Sequence, residues 1–342
     1  MLYKNFSLKD KNTFGFEVFA KKFFEYESES ELIDFLRENQ KQPERILHIG
    51  EGSNLLFLHN FDGIVLHSKI NFLETKEIDN QEVIVRVGAG IAWDRFCEMM
   101  VEKGFGGTEN LSLIYGEVGA AAVQNIGAYG VEIADIIESV ETIEVKTAKN
   151  RYFTVKECEY GYRESVFKKS KKGEFIVTAI NFRLQKNPTL KLEYGALKTL
   201  LADNSNPTIA DVRRAVISIR ESKLPNPKIL GNAGSFFKNP YCCKEHFEAL
   251  QRQFPKMPYY PVTIGEKNFS PIQKLSAAWL IEQCGLKGHK IGGAQVYHSQ
   301  PLVLVNLGNA TPQNIAELSA EVQRQVKAKF SIELETEVNF IE

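Results

Sequence analysis

The sequence is short of residues that would tie it together through sulfur or a metal. Its five cysteines, Cys97, Cys158, Cys242, Cys243 and Cys284, are odd in number and scattered, with no C-x-x-C pair. A disulfide framework and a cysteine-based zinc site are therefore not indicated, and the five read as buried thiols. The six histidines, His48, His59, His67, His246, His289 and His298, show no metal-ligand spacing, so no metal is expected. No apolar run approaches the roughly 20 residues that a bilayer-crossing helix needs, and the first residues lack the charged-then-apolar pattern of an export signal. The expectation is a cytoplasmic protein with no membrane partner. Net charge is also nearly absent: 42 basic against 43 acidic residues give -1, so nothing draws the chain to nucleic acid, and an anionic ligand must be held locally. The only two tryptophans, Trp93 and Trp279, fall at helical positions and read as core.

The chain has 342 residues, 43% of them apolar, which is too long for one ordinary core. Short β-type runs at 46–49, 64–66, 83–87, 136–145 and 175–184 are separated by glycine-rich turns. Two helices interrupt them, one at 29–39 with Leu32, Ile33, Phe35 and Leu36 apolar, the other at 92–103 with Ala92, Phe96, Met99 and Met100 on one face. After Pro188 the rhythm changes. Thr208 can cap a helix carrying Ile209, Val212, Val216 and Ile219, which Pro225 and Pro227 prevent from continuing. A helix at 276–284 is closed by Gly285, and Thr311 followed by Pro312 opens another through Val326. The chain ends in an expected strand in which Ile332, Leu334, Val338 and Phe340 alternate with Glu333, Glu335, Glu337 and Asn339. The fold class is α+β, divided into residues 13–186 and 187–342.

Three segments are rich in small residues. IGEGSNLL at 49–56 joins two apolar strands by a turn that can aim successive backbone N–H groups at one point, forming a nest for phosphate oxygens. It is neither a Rossmann fingerprint nor a P-loop, since no helix follows Gly52 and the third glycine is missing. Taken alone, such a turn is more often an ordinary hairpin. VGAG at 87–90 and GEVGAAAVQNIGAYG at 116–130 strengthen the ligand reading. Side chains so small cannot order the latter segment as a loop, so a tightly held flat ligand is a physical reason for its order; the alternative is a flexible surface loop.

Taken in order, GEGSNLLF at 50–57, VGAG at 87–90, VQNIGAYGVE at 123–132, GYRESVF at 161–167, LEYGAL at 192–197, KLPNPKILGNAGSFFKNP at 223–240 and LETEVNF at 334–340 resemble the UDP-N-acetylenolpyruvoylglucosamine reductases over nearly the whole chain. LEYGAL resembles the first structural type of that family, in which a tyrosine-bearing loop closes over substrate. Tyr115 stands where the family usually has proline.

The resemblance implies a two-subdomain FAD-binding domain of the vanillyl-alcohol-oxidase/PCMH type at 13–186, followed by a C-terminal α+β substrate-binding domain at 187–342. It implies non-covalent FAD, NADPH as co-substrate, and reduction of UDP-N-acetylglucosamine-enolpyruvate to UDP-N-acetylmuramate for peptidoglycan, with these small molecules as partners; subunit number is left open, with a monomer the expectation. On this likeness Ser235 is the proton donor, Arg163 binds the enolpyruvyl carboxylate and developing enolate, and Glu337 stands opposite. Without it, Ser235 is a turn serine, Arg163 an arginine paired with Glu164 or Glu159, and Glu337 part of a solvated edge strand. Tyr194, Lys223 and Asn239 match contacts to the substrate diphosphate and Gln300 a uridine contact; Lys274 and Lys287 add positive charge nearby in sequence. Gly50, Glu51, Gly52, Ser53, Asn54, Gly88, Gly116, Gly119, Asn125, Gly127, Ala128 and Tyr129 match the flavin side. The rival readings are a related FAD oxidase and a non-catalytic sugar-nucleotide-binding protein.

Overall fold

The computed structural model describes residues 1–260, 262 and 272–342. The chain forms two compact units: one holds Met1–Ser7, Phe19–Glu51 and Phe61–Ser222, the other Leu8–Val18, Gly52–Asn60 and Lys223–Glu342. The change of rhythm after Pro188 and the family likeness set the expected boundary at 186/187. The compact units run differently, because helix α5, Ile209–Lys223, is anchored in the first of them. Its Val212, Ala215, Val216 and Ile219 cluster with Leu197, Arg213 pairs with Asp94, and Arg220 Nε donates to the Leu113 carbonyl at 3.0 Å.

The first unit has two sheets. Strands Leu2–Ser7, Phe19–Tyr26, Phe61–Ser68 and Ile46–Ile49 lie side by side in that order, antiparallel at the first pairing and parallel thereafter. Helix α1, Glu29–Asn39, carries the chain from Phe19–Tyr26 past the intervening Phe61–Ser68 to the parallel Ile46–Ile49, with Ser28 as N-cap and Leu32 and Leu36 buried. The second sheet is antiparallel, in the order Lys149–Thr154, Ile137–Glu144, Phe175–Gln185, Glu82–Gly88 and Leu73–Glu77. Helix α2, Trp93–Glu102, covers it with Trp93, Phe96, Cys97 and Met100 buried, a face turned slightly from the expected Ala92, Phe96, Met99 and Met100. All five expected strands are present.

The segment at 116–130 is the main departure from expectation. It is not a loop: Val118–Gln124 forms helix α3, which ends at Asn125 in the left-handed conformation (φ 48°). Glycine and alanine give no amphipathic signal, so this helix is specified by what it packs on. Val118, Ala121 and Ala122 join the core of the antiparallel sheet.

In the second unit, strands Gly231–Ser235, Val303–Asn306, Ala294–Val296 and Lys290–Ile291 form an antiparallel sheet. Helix α8, Pro312–Phe330, buries Ile315, Leu318, Val322 and Val326, and a Thr311–Asn314 capping box starts it. Helix α7, Ala277–Gln283, begins on the Ser276 hydroxyl as expected, and Trp279 packs against Phe254 and Phe330. The C-terminal strand is shorter than its alternation suggested. Only Asn339–Ile341 is strand, parallel to Leu55–Phe57, while Thr336 makes a single bridge to Phe237. Ile332, Leu334 and Val338 are still buried, so the pattern reports an extended segment on the core without continuous strand partners. The cysteines also depart in part: Cys97, Cys158 and Cys242 are buried, Cys284 is intermediate and Cys243 is exposed.

Candidate active site

Within the first unit Gly50 and Glu51, Gly88 and Ala89, and Gly116–Gly119, far apart in sequence, come together. Gly119 donates its N–H to the Ala89 carbonyl at 3.0 Å, Gly116 donates to Glu51 Oε2 at 3.0 Å, and Glu117 Oε2 lies 3.0 Å from where a Gly50 side chain would begin. Gly88 closes its strand against Ile70, whose carbonyl oxygen would be 2.4 Å from a side chain there.

The turn at 50–54 is shaped for backbone donation. Gly52 has φ +68°, and a β-carbon on it would fall 2.0 Å from the Lys11 carbonyl oxygen, so glycine is required. The N–H groups of Glu51 and Gly52 have no protein acceptor among the described residues. Ser53 and Asn54 complete the turn, and Asn54 Nδ2 donates to the Glu337 carbonyl at 3.1 Å. Unclaimed donors in a glycine turn suit a phosphate or pyrophosphate. These donors fit the pyrophosphate of a dinucleotide such as FAD.

Asn125 is wholly buried and its side chain is fully engaged: Nδ2 donates to Glu132 Oε2 and the Gly161 carbonyl, both at 2.8 Å, and Oδ1 accepts from the Ala134 N–H. It therefore orders the site. Gly161 and Glu164 exchange backbone hydrogen bonds around a turn whose third residue, Arg163, has φ +58°. That conformation costs a non-glycine residue about 1 kcal/mol, and such strain persists where the surroundings enforce it. Here the enforcing contacts are visible. The Arg163 guanidinium donates to the Asn125 and Gly127 carbonyls, and its Nη1 lies 2.8 Å from where a Gly127 side chain would start. The Glu164 carboxylate pairs with Lys169. Gly127 and Ala128 belong to a short hairpin, and Tyr129 (φ 50°) meets the exposed Tyr194 ring edge-on at 5.2 Å. Tyr194 itself is the N-cap residue of helix α4, Gly195–Leu200.

Arg220 carries no sequence signal of its own. It bonds Tyr129 as well as Leu113, and desolvation lowers its pKa from the usual arginine range. Tyr115, in the place of the usual proline, is near enough to feel that charge, although desolvation raises its phenol pKa. Only the fold brings helix α5 to these tyrosines.

In the second unit the backbone of Glu337 pairs with the residue that follows Ser235, some way back along the chain. Glu337 N–H donates to the Phe236 carbonyl at 2.8 Å, and Lys238 N–H donates to the Glu335 carbonyl at 2.9 Å. Ser235 ends its strand at a bulge opposite Val303. The bulge is built by Asn232, whose Oδ1 accepts from Gly234 N–H at 2.9 Å and whose Nδ2 donates to the Pro225 and Leu230 carbonyls. Gly234 has φ +68° with nothing within 4 Å of a side chain placed there, so the backbone before Ser235 faces open space.

Asn239 Oδ1 accepts from Ala277 N–H at 2.9 Å at the start of α7. Lys223 is exposed at the end of α5, Lys274 lies in a strand opposite Tyr241, and Lys287 pairs with Glu282. Gln300 Oε1 is buried without a hydrogen-bond partner among the described residues. A buried acceptor left empty costs about 1–3 kcal/mol and is the mark of a group awaiting a ligand or water. Among the described residues no group of three or more histidine, cysteine or acidic side chains is placed to hold a metal, and no helix is long and apolar enough to cross a membrane.

Residues 20–154 match the FAD binding domain family model, and residues 226–341 match that of the UDP-N-acetylenolpyruvoylglucosamine reductase C-terminal domain. A UDP-N-acetylenolpyruvoylglucosamine reductase of Bacteroides fragilis is 45% identical over 338 residues, covering 99% of both chains. One of Flavobacterium johnsoniae is 46% identical over 343 residues, again covering 99% of both. The crystal structure of the Thermus caldophilus UDP-N-acetylenolpyruvylglucosamine reductase aligns with 100% of this chain and 98% of its own at a TM-score of 0.67 and 23% identity, which supports the α+β fold. With such identity from end to end, and with both halves matching their domain models, the chain belongs to the UDP-N-acetylenolpyruvoylglucosamine reductase family.

Proposed function

We propose that this chain reduces UDP-N-acetylglucosamine-enolpyruvate to UDP-N-acetylmuramate, using NADPH through FAD, in the synthesis of peptidoglycan precursors. It is an FAD-dependent oxidoreductase. FAD, when bound, would supply the hydride chemistry between NADPH and the vinyl carbon of the enolpyruvyl group. The turn at 50–54, helix α3 and the hairpin through Tyr129 hold it.

The protein must then stabilise negative charge spreading from the neighbouring carbon into the carboxylate, and must deliver a proton. Arg163 is assigned the first task. Its planar fork of donors suits a carboxylate, and the strained turn aims it before any substrate arrives. Ser235 is assigned the second. A serine hydroxyl is a weak acid, so transfer depends on position and on a strongly basic acceptor, both of which the bulge at Asn232 and the open face at Gly234 favour. Glu337 sits beside the Ser235 strand as the companion carboxylate. Tyr194, Lys223 and Asn239 take the diphosphate, where the exposed ammonium of Lys223 can serve NADPH and substrate in turn, and the buried acceptor of Gln300 takes the uridine. The protein works as a cytoplasmic monomer.

The observation that carries this reading is the pairing of the Glu337 backbone with the segment that follows Ser235. The test is Ser235→Ala, followed as two separate half-reactions. Flavin reduction by NADPH stays near the wild-type rate, and reoxidation by the enolpyruvyl substrate slows by about 10²- to 10⁴-fold, the usual range for a lost acid. Equal slowing of both halves would remove Ser235 from the role of proton donor.

A further inference from the structure

One buried charged chain in the first unit has no part in the chemistry above. The His67 imidazole is 5% exposed; its Nδ1 lies 2.8 Å from Glu25 Oε1 and its Nε2 lies 2.8 Å from Glu117 Oε1. With a proton on each ring nitrogen the imidazole donates one N–H to each carboxylate, and that form carries the positive charge that balances them. Lys69 Nζ stands 3.7 Å from the other Glu25 oxygen. Phe23 stacks on the ring at 6.2 Å, and His48, joined to the Tyr26 hydroxyl at 2.8 Å, is a titratable group nearby.

Glu117 is the unexpected member. It occupies the N-cap position of α3 but makes no side-chain capping bond; its carboxylate turns inward to His67 instead. Its second oxygen lies 3.0 Å from where a Gly50 side chain would begin, and the next residue, Glu51, is the one whose side chain bonds Gly116 N–H. A buried carboxylate thus stands against the turn whose backbone N–H groups suit a pyrophosphate, where an uncompensated negative charge would repel the ligand.

We propose that His67 neutralises Glu117 and so sets how tightly the 50–54 turn holds an anionic dinucleotide. The inference rests on the assignment of that turn to FAD. His67 touches neither cofactor nor substrate; it positions α3 and cancels a charge. An uncompensated charge near a bound anion, at the effective dielectric of a protein, changes affinity by about tenfold or more.

The test is FAD titration of flavin-stripped protein by fluorescence quenching for the wild type, His67→Gln, Glu117→Gln and the double variant. His67→Gln weakens FAD binding about tenfold or more, Glu117→Gln binds FAD at least as tightly as the wild type, and Glu117→Gln in the His67→Gln background restores most of the loss. Rescue by removing a carboxylate separates charge from structure, since a packing defect at His67 would not be repaired by a second change. The inference fails if His67→Gln binds FAD normally, or if the double variant is no tighter than His67→Gln. Should His67→Gln not fold, Glu117→Gln alone decides: binding about tenfold weaker than the wild type overturns it. Wild-type protein that binds no FAD would contradict the proposed function itself.

Discussion

Replacing Gly52 by alanine tests the anion-binding turn without altering any side chain that could touch a ligand. Gly52 has φ +68°, a conformation that costs alanine about 1–2 kcal/mol. A β-carbon there would fall 2.0 Å from the Lys11 carbonyl oxygen and 2.8 Å from Asn12 Cα. Carbon and carbonyl oxygen approach no closer than about 3.3 Å, so one backbone must move by more than about 1 Å, and overpacking of that kind costs about 1–3 kcal/mol. The segment that must yield is held to the turn, since Thr13 N–H and its hydroxyl both bond the Gly52 carbonyl, at 3.2 and 3.4 Å. The expected loss is about 2–5 kcal/mol. Gly104→Ala is the control: φ is +77°, but nothing lies within 4 Å, so only the conformational cost applies. Urea unfolding of the two apoproteins and FAD titration of each give the comparison. Gly52→Ala loses about 1–3 kcal/mol more than the control and binds FAD at least about tenfold more weakly. Equal losses, or unchanged FAD affinity, would refute the reasoning.

Other changes separate chemistry from stability. Arg163→Ala slows reoxidation by the enolpyruvyl substrate while leaving flavin reduction by NADPH near normal; stopped-flow absorbance resolves the two steps. Arg86 holds buried Glu141 through two bonds at 2.8 and 2.9 Å, so Arg86→Ala strands a carboxylate; with Arg86 itself 35% exposed, water softens the cost to about 2–3 kcal/mol in urea unfolding. Burial raises the Glu141 and Asp94 pKa values, but Arg86 with Asn181, and Arg213 with Leu113 N–H, outweigh it and hold both carboxyls below the usual range. Their contribution is present above about pH 4 and lost as pH falls through the depressed values. His48 acts earlier: desolvation and the charge on His67 hold it down to about 3 from 6.5, so the folded state resists a proton the unfolded chain accepts. Stability therefore begins to fall below about pH 6.5, and His48→Gln, which can still accept from the Tyr26 hydroxyl, removes that early slope from a series of urea midpoints.

What the sequence could reveal follows from which forces are local. Strands such as Ile46–Ile49 and Phe175–Gln185 carry their own apolar pattern, and Ser276 and Thr311 announce helix starts by bonding backbone N–H groups three residues on. Helix α3 was illegible because its residues are small and its helix is fixed by contact with Ala89 and the sheet core. The partition into units was hidden for the same reason. Leu8–Val18 belongs with the C-terminal half because Thr13 and Phe14 carbonyls accept from Asn232 and Asn306.

Motif likeness proposed Arg163, Ser235 and Glu337, but could not show how the backbone holds them. The strain at Arg163, the support from Asn125 and the Asn232 bulge are properties of the folded backbone. Arg220 and the Glu25–His67–Glu117 chain join residues far apart in sequence whose types, taken singly, signify nothing.

The central claim is that two electrons enter from NADPH and leave to an enolpyruvyl sugar nucleotide. It is tested most directly by the visible spectrum of the purified protein under anaerobic conditions. A yellow flavin absorbance is bleached by NADPH and returns on adding UDP-N-acetylglucosamine-enolpyruvate, faster than it returns with dioxygen in a parallel sample. A colourless protein that FAD cannot reconstitute, or a bleached one that dioxygen reoxidises much faster than the sugar nucleotide does, would contradict the account.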